Sequence, residues 1–135
     1  MAIKTYAGSC HCGQVRFEAD LDLSLGSGRC NCSYCGKIRS WGVVIKPEAF
    51  RLLSGAEVLT EYRFGTKSGR YRFCQHCGLR PFGDGNVEAL GGAFVTVNLA
   101  CLDGVPPEAL AEIPIQYQDG AHNAWHQSPK VTSYL

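Results

Sequence analysis

Three cysteines lie close together in the segment RCNCSYCG, at Cys30, Cys32 and Cys35. Thiols this near one another favour a metal site, because zinc takes four ligands and close cysteines supply several of them from one turn. Three thiols leave one of the four positions open. That arrangement is typical of a catalytic zinc, so the segment predicts a metal whose fourth place takes water or a substrate thiolate. In the alternative, a histidine or Cys101 completes the site.

Four further cysteines form two close pairs, Cys10-x-Cys12 and Cys74-x-x-Cys77. Gly78 follows the second pair, as in a zinc knuckle, where glycine readily takes a positive φ. The first pair, followed by Gly13, is the tighter variant of this knuckle, and in an extended segment both its side chains project to one side. Together the two pairs predict a structural zinc site that joins distant parts of the chain. Its loss is expected to unfold the protein.

Spacing alone leaves other uses of these pairs open. Cys10 and Cys12 could join two cysteines of the middle segment, which would leave Cys74 and Cys77 without partners. The second pair could also be a redox pair of the thioredoxin type, although no helical pattern follows it. The eighth cysteine, Cys101, lies in a strand-like pattern and is interpreted as a small buried hydrophobic residue.

Length and composition limit what the protein can be. The chain has 135 residues without a linker or an internal repeat, which predicts a single domain over residues 1–135. No apolar stretch approaches the ~18 residues of a membrane span, and the N-terminus lacks the apolar run of a signal peptide. We therefore expect a cytoplasmic protein with no membrane partner. Thiols remain reduced in the cytoplasm, so its eight cysteines favour metal ions over disulfides.

Charge is distributed unevenly along the chain. Residues 37–80 hold nine Lys or Arg and three Asp or Glu, a net +6, whereas the remainder holds four and nine, a net −5. A basic segment of this kind can attract an anionic ligand or can be a solvated sheet face. The whole chain carries a formal charge of +1. Nucleic acid is therefore not an expected partner, because phosphate binding needs many clustered basic side chains.

Alternating apolar and polar residues predict a β-rich, all-β chain with short helical turns. Two alternating segments flank the sequence GTKSG and are expected to form a hairpin. Proline at the first position favours a helical turn after Lys46 and another after Pro106. The predicted strands are 13–20, 42–46, 57–64, 70–73, 93–99 and 115–118, and the predicted helical turns are 47–50 and 107–113.

The cysteine motifs resemble those of the family of glutathione-dependent formaldehyde-activating enzymes, which also includes centromere protein V. The resemblance covers nearly the whole chain and includes seven cysteines in the family's order and spacing. The family often has a histidine inside the middle motif, where this chain has Asn31. The residues that carry the resemblance are Cys10-His11-Cys12-Gly13, Cys30-Asn31-Cys32-Ser33-Tyr34-Cys35, Phe73-Cys74-Gln75-His76-Cys77-Gly78, Gly91-Gly92, Val97-Asn98-Leu99 and Leu102-Asp103.

This resemblance implies an Mss4-like fold of twisted β-sheets stapled by metal sites. It implies two zinc ions per chain, a structural one on the two outer cysteine pairs and a catalytic one on the middle three cysteines. It further implies S-(hydroxymethyl)glutathione synthase activity, the condensation of glutathione with formaldehyde, whose reverse is a carbon–sulfur lyase reaction. The expected partners are a small glutathione-like thiol and an aldehyde.

The residues expected to act on this substrate lie in and just after the middle motif. Cys30, Cys32 and Cys35 are the predicted catalytic residues, through the metal that they hold. Lys37 and Arg39 follow the motif and are predicted to bind a substrate carboxylate, for which Arg is the better bidentate partner. The alternative function is a non-enzymatic zinc module that binds a protein or nucleic acid. A third possibility is an enzyme that handles thiols but acts on something other than formaldehyde.

The remaining histidines and aromatic residues give weaker signals. His122 and His126 are four residues apart in HNAWH, but the flanking sequence predicts a loop and the glutamate of a zinc-protease motif is missing. Trp125 in this loop could form the apolar part of a lid. Three aromatic residues could line a pocket near the metals, although aromatic residues in a β-domain are more often core. They are Tyr34, Trp41 and Phe82.

Overall fold

The computed structural model describes residues 3–135, which form two β-sheets joined by short turns and helices. The predicted all-β class is confirmed. The strands are β1 (Lys4–Ser9), β2 (Arg16–Leu21), β3 (Ser27–Cys30), β4 (Gly42–Ile45), β5 (Phe50–Ser54), β6 (Leu59–Tyr62), β7 (Gly69–Cys74), β8 (Phe82–Val87), β9 (Gly92–Asn98) and β10 (Ile115–Gln118). The helices are α1 (Cys35–Ile38) and α2 (Pro107–Ala111). Single 3-10 turns cover Leu23–Leu25, Pro47–Ala49, Ala56–Val58, Glu88–Leu90, Leu99–Cys101 and Gly120–His122.

The two sheets differ in size and strand direction. The smaller sheet is antiparallel, in the order β1-β2-β5. The larger sheet has the order β10-β3-β4-β9-β8-β7-β6, in which only the β10–β3 pair is parallel among the described residues. The parallel pair places Gln118, the last residue of β10, directly beside Cys30, the last residue of β3. The chain that follows β10 therefore starts next to the middle cysteine motif.

The hydrophobic core lies between the two sheets. Strand β2 alternates accessible and buried positions, and Phe17 on its buried face is fully enclosed. The Phe17 ring centroid lies 5.4 Å from that of Phe50 and 6.5 Å from that of Phe82 in the larger sheet. Val95 and Val97 of β9 belong to the same cluster. Each such side chain contributes about 1.5–3 kcal/mol when buried, so this cluster holds the sheets together.

The helical elements are short. Pro107 is the first residue of α2, and Pro47 is the first residue of a 3-10 turn, at the positions where the sequence predicted helical turns. Proline suits these places because its missing N–H would have no partner in a helix anyway. Within residues 3–135, no helix is long and apolar enough to cross a membrane.

Six predicted strands correspond to observed ones, but some predicted boundaries are wrong. Residues 13–15 do not belong to β2, because they form a turn in which the Gly13 N–H donates to the Cys10 carbonyl at 3.1 Å. Glu57 and Val58 lie in a 3-10 turn and not in β6. The helix predicted for 107–113 ends at Ala111. The sequence did not predict β1, β3, β5, β8 or α1.

Candidate metal centres and active site

The cysteines of the two outer motifs come together where β1 and β7 end. Cys10, Cys12, Cys74 and Cys77 form the four-cysteine cluster, in which all sulfur atoms lie within 4.8 Å of one another. The Cys12 sulfur is 3.6 Å from the sulfurs of both Cys10 and Cys74. Sulfurs at about 2.3 Å from a tetrahedral zinc ion are about 3.8 Å apart. The cluster therefore fits the donor set and the spacing that zinc prefers.

Two tight turns present the thiols of this cluster. Cys10 directly follows β1, and Cys74 is the last residue of β7. The glycine after each pair has a positive φ, +81° at Gly13 and +76° at Gly78. The Gly78 N–H donates to the Cys74 carbonyl at 2.7 Å, so the knuckle turn predicted for this pair is present. The segment around Cys12 is also a turn, as expected for the tighter variant of the knuckle, and it is not extended.

Backbone N–H groups point at the sulfurs of the four-cysteine cluster. The Val15 N–H donates to the Cys10 sulfur at 3.3 Å. Backbone hydrogen bonds from Cys12 and Leu79 lower the pKa of Cys77 to about 6. Thiolates are the metal-binding form of cysteine, so these hydrogen bonds favour the form that a metal needs.

The three cysteines of the middle motif form a second, separate group. Cys30, Cys32 and Cys35 are the three-cysteine cluster, and their sulfurs also lie within 4.8 Å of one another. Cys30 ends β3 and Cys35 begins α1, so one strand-to-helix turn carries all three thiols. Among residues 3–135, no histidine or carboxylate joins this group, and neither does Cys101. The cluster thus offers three thiols for a metal ion and leaves a fourth position without a protein ligand.

Hydrogen bonds distribute charge unevenly over the three-cysteine cluster. The Cys32 N–H donates to the Cys30 sulfur at 3.3 Å, and the Cys35 N–H donates to the Cys32 sulfur at 3.4 Å. Hydrogen bonds from the thiols of Cys30 and Cys35 hold the pKa of Cys32 well below its usual range. The same contacts, together with burial, raise the pKa of Cys35.

A cavity of about 790 Å³ lies beside the three-cysteine cluster. All three of its cysteines line the cavity, whereas no cysteine of the four-cysteine cluster is among the described lining residues. Much of the wall is apolar and comes from β4. The lining also includes Lys46, Tyr71, Arg80 and Trp125. One group of thiols is thus accessible to a small molecule from this cavity and the other is not.

Asn31 joins the middle motif to the chain after β10. Its side-chain Nδ2 donates to Asp119 Oδ1 at 2.9 Å, and its Oδ1 accepts the Ala121 N–H at 2.9 Å. Asp119 also contacts His122 Nδ1 at 2.9 Å. Hydrogen bonds from Asn31 and His122 lower the pKa of Asp119. We call Asn31, Asp119 and Ala121 the Asn31 clamp; its only signal in the sequence was the asparagine at a position where the family often has histidine.

Gly120 fits tightly between the middle motif and the C-terminal loop. A Cβ atom at this position would lie 2.6 Å from the Cys30 sulfur and 2.5 Å from the Trp125 ring, so a larger residue would force them apart. Trp125 is exposed over about half of its surface and lines the cavity. The loop predicted around His122 and His126 is present, and its contribution to the cavity lining is Trp125.

The predicted carboxylate-binding residues lie outside the described cavity lining. Lys37 is exposed on α1, and Arg39 is the exposed residue directly after this helix. The cations that do line the cavity are Arg80 and Lys46, which the sequence did not single out. Arg80 lies three positions after Cys77, and no motif at the sequence level marks it.

The other residues singled out from the sequence take mostly structural places. Phe82 is buried in the core, and Tyr34 stacks with Tyr62 and other aromatic rings. The Trp41 Nε1 donates to Ser27 Oγ at 2.8 Å. Neither Tyr34, Trp41 nor Phe82 is among the described residues that line the large cavity.

Ion pairs neutralise much of the basic segment 37–80. Four of its nine basic residues contact carboxylates, which leaves less free positive charge than the sequence suggests. The pairs are Arg51 with Glu18 and Asp20, Arg63 with Glu61, and Arg70 and Arg72 with Asp84. The Arg51 guanidinium is the main reason that the pKa of Asp20 is lowered to about 2.

Comparisons with known proteins agree with this geometry. The family model for glutathione-dependent formaldehyde-activating enzymes matches residues 5–119, a range that contains both cysteine clusters. A crystal structure of a Rhodobacter sphaeroides protein is similar at 33% sequence identity and a TM-score of 0.68, and the match covers 82% of this chain and 99% of that one. The Mss4-like arrangement of sheets and cysteine clusters that the resemblance implied is confirmed. The chain belongs to the family of glutathione-dependent formaldehyde-activating enzymes.

Proposed function

We propose that the protein condenses glutathione, or a closely related thiol, with formaldehyde to give S-(hydroxymethyl)glutathione, and that it also cleaves this carbon–sulfur bond in reverse. The observation that carries the proposal is that the three-cysteine cluster lines a cavity and lacks a fourth protein ligand among the described residues. Family membership supports a glutathione-dependent, formaldehyde-activating role. The cavity volume of about 790 Å³ falls in the usual range for small-molecule sites, about 300–1,000 Å³.

In the proposed reaction, the three-cysteine cluster holds the reacting sulfur at its open side. A zinc ion bound there would lower the pKa of a coordinated thiol and so supply a thiolate near neutral pH. The rest of the thiol would lie in the cavity, whose lining includes Trp125. The substrate sulfur attacks the formaldehyde carbon and a carbon–sulfur bond forms. The π electron pair moves to the oxygen, which takes up one proton in place of the one that the thiol released.

Each cysteine cluster receives a different part in this proposal. The four-cysteine cluster holds a structural zinc ion, and the three-cysteine cluster holds a catalytic one, so that the chain binds two. Lys37 and Arg39 lie outside the cavity lining, and we keep the proposal that they bind a substrate carboxylate. We further propose that residues 1–135 act as one domain, because a single core cluster includes residues of both sheets. We place the reaction in the cytoplasm, where these eight free thiols stay reduced.

The alternative of a non-enzymatic module that binds nucleic acid has less support. Such binding depends on many free Lys and Arg side chains. Four of the arginines in the basic segment are paired with carboxylates. A cavity lined by three thiols is also of no use to a protein that only binds phosphates.

The test measures how fast glutathione and formaldehyde exchange with their adduct. These compounds also equilibrate without an enzyme, so we would follow ¹³C-labelled formaldehyde by exchange NMR at equilibrium. The proposal expects exchange that rises in proportion to the concentration of metal-loaded protein. The matched control is Cys32→Ser at equal folded concentration. An exchange rate that is the same with wild type, with the variant and with buffer would contradict the proposal.

A further inference from the structure

The backbone of Arg80 is held rigidly beside the four-cysteine cluster. Its carbonyl accepts a hydrogen bond from Asn98 Nδ2 at 2.9 Å. The next residue, Pro81, is fully buried, and its carbonyl accepts the Asn98 N–H at 3.0 Å. The preceding carbonyl, of Leu79, accepts the Cys74 N–H at 2.9 Å. The knuckle turn and β9 together therefore fix the point from which the Arg80 side chain extends.

The guanidinium of Arg80 stacks on two tyrosine rings. Its central carbon lies 5.7 Å from the centroid of the Tyr34 ring and 5.4 Å from that of the Tyr71 ring. These contacts are within the range of cation–π attraction, which holds the guanidinium in place. Tyr34 directly precedes Cys35, and Tyr71 lines the cavity with the three-cysteine cluster. The positive charge is thus held next to the proposed thiol site.

Arg80 differs from the arginines around it because it has no carboxylate partner within the described residues. Arg70, by comparison, contacts Asp84 with its Nε at 2.7 Å. The Nε of Arg80 is buried and donates no hydrogen bond within residues 3–135. Arg80 as a whole is half-buried, and a charge that is partly removed from water is normally paired with an opposite charge. An unpaired guanidinium at a cavity wall is therefore suited to an anion that arrives with a ligand.

Lys46 is the other cation of the cavity lining, and it is less suited to this task. Its ammonium is exposed and lies 3.4 Å from the Gly91 carbonyl. Lysine presents a flexible point charge, whereas arginine offers a planar fork that matches both oxygens of a carboxylate. Among these two cations, Arg80 is the one that is both held in place and free of a partner.

We propose that Arg80 binds a carboxylate of the thiol substrate and thereby selects thiols that carry one. This inference rests on the proposed function, since it takes the three-cysteine cluster as the place of the sulfur. Bidentate arginine–carboxylate pairs are among the stronger hydrogen-bonded contacts in proteins. Arg80 then fixes one end of the substrate while the cluster holds its sulfur. Arg80 acts here as a specificity-determining residue and takes no part in bond formation.

The experiment compares two thiols that differ in the carboxylate. Calorimetric titration of metal-loaded protein with 3-mercaptopropionate and with 2-mercaptoethanol gives a ratio of dissociation constants. We expect wild type to bind the carboxylated thiol at least about tenfold more tightly, as a charge-assisted hydrogen-bonded pair would give. In Arg80→Gln this preference disappears while the affinity for 2-mercaptoethanol stays the same. Arg63→Gln, which also removes one charge but at an exposed residue paired with Glu61, keeps the preference.

Several results would overturn the assignment of Arg80. One is a wild type without a preference between the two thiols. Another is an Arg80→Gln variant that loses affinity equally for both, which would mean that Arg80 only supports the cysteines. If that variant does not fold, Arg80→Lys takes its place: a preference reduced severalfold supports the proposal, and an unchanged one refutes it.

The formaldehyde exchange measurement separates this inference from the proposed function. A wild type that accelerates exchange with glutathione but shows no carboxylate preference would refute the role of Arg80 alone. A wild type that selects carboxylated thiols through Arg80 but does not accelerate exchange would refute the proposed reaction and leave the binding role in place. Glutathione and its dimethyl ester, which lacks both carboxylates, extend the same comparison to the proposed substrate.

Discussion

The four-cysteine cluster and the three-cysteine cluster both consist of cysteine thiols, but they draw these thiols from the chain in different ways. The first draws its thiols from two segments, one around Cys10 and one around Cys74, which are far apart in the sequence. The second takes all its thiols from a single turn between β3 and α1. A metal ion that closes a long loop restricts the whole unfolded chain, whereas one bound within a short turn restricts only that turn. We therefore expect the first cluster to hold the fold and the second to be dispensable for folding.

Their access to a substrate also differs, although both clusters mix buried and more accessible thiols. Cys10 and Cys74 are 3% and 0% exposed and belong to the hydrophobic core, whereas Cys12 is exposed and Cys77 is half-buried. Cys30 is buried and Cys32 and Cys35 are half-buried, but all three line the large cavity. A site with four protein ligands has no position left for a substrate, whereas a site with three protein ligands has one. The difference between the clusters therefore predicts which substitutions affect stability and which affect activity.

The largest effect is expected for Cys74→Ser in the four-cysteine cluster. Binding of structural zinc contributes on the order of 10–16 kcal/mol in small domains, which is comparable to the whole net stability of about 5–15 kcal/mol. We expect the variant to be unfolded at room temperature by circular dichroism. A folded variant whose melting temperature is close to that of wild type would show that this cluster does not hold the fold.

Cys32→Ser tests the other side of the comparison. We expect a folded protein whose zinc content falls from two ions per chain to one, with a loss of exchange activity of at least about 100-fold. The stability should change by less than about 2 kcal/mol, because the three thiols come from one local turn. Elemental analysis beside chemical denaturation measures both quantities. One zinc ion in the wild type, or an unfolded variant, would remove the distinction between the clusters.

The three-cysteine cluster could be predicted from the sequence because its geometry is local, and each of the two pairs in the four-cysteine cluster is local as well. Cys30, Cys32 and Cys35 lie on one turn, so their spacing alone brings the sulfurs together. The turn at Gly78 was likewise predictable, since glycine after a close cysteine pair readily takes the positive φ of a knuckle. Strands with clear alternation, such as β2 and β9, were found for the same reason: their pattern is contained in a few neighbouring residues.

The features that the sequence did not predict depend on contacts between distant segments. The feature that marks Arg80 is its contact with the rings of Tyr34 and Tyr71. Both tyrosines lie on other segments of the chain, so no local pattern predicts the contact. Strand β8 contains Gly83, a residue type that disfavours strands. A Cβ atom there would lie 2.7 Å from the Arg70 carbonyl, so the close approach of the neighbouring strand requires glycine at this position. Tertiary packing overrides local preference in such cases.

An intermediate effect is expected when the Asn31 clamp is disrupted, because the clamp contacts the three-cysteine cluster and not the four-cysteine cluster. Asn31→Ala removes two hydrogen bonds of 2.9 Å to the chain after β10. Each such bond contributes about 0.5–1.5 kcal/mol, so a loss of about 1–3 kcal/mol is expected, with exchange activity reduced severalfold. With Trp41 replaced by Phe so that Trp125 alone reports, the fluorescence should shift to longer wavelength as the loop loosens. The zinc content should not change.

Asn86→Ala is the matched control for the clamp. Asn86 is an exposed asparagine in β8, away from both clusters, and its replacement should leave activity and Trp125 fluorescence unchanged. If Asn31→Ala behaves like this control, the C-terminal loop is held over the three-cysteine cluster by packing at Gly120 and not by the clamp.

The smallest effect is expected for Cys101, the thiol that belongs to neither cluster. It is 4% exposed and lines the same pocket as Cys10 and Cys77. Replacing it therefore tests whether a thiol near the four-cysteine cluster also binds the metal. Cys101→Ala should keep the full zinc content and the exchange activity. It should lose about 1 kcal/mol of stability at neutral pH, because a small buried side chain is truncated. A variant that lost zinc would place Cys101 in a metal site.

The alkaline pH dependence of the same variant gives a second check on Cys101. Burial raises the pKa of this thiol from 9.0 to about 12. Above pH 9.0 the unfolded chain ionises the thiol while the folded chain keeps it neutral, so folding loses stability as the pH rises towards 12. The advantage of wild type over Cys101→Ala should therefore be complete below this window and shrink within it, as urea denaturation at several pH values would measure. An advantage that stays constant through this pH window would mean that Cys101 is already ionised in the folded protein, as a thiolate of a metal cluster would be. That result would contradict the conclusion that Cys101 belongs to neither cluster.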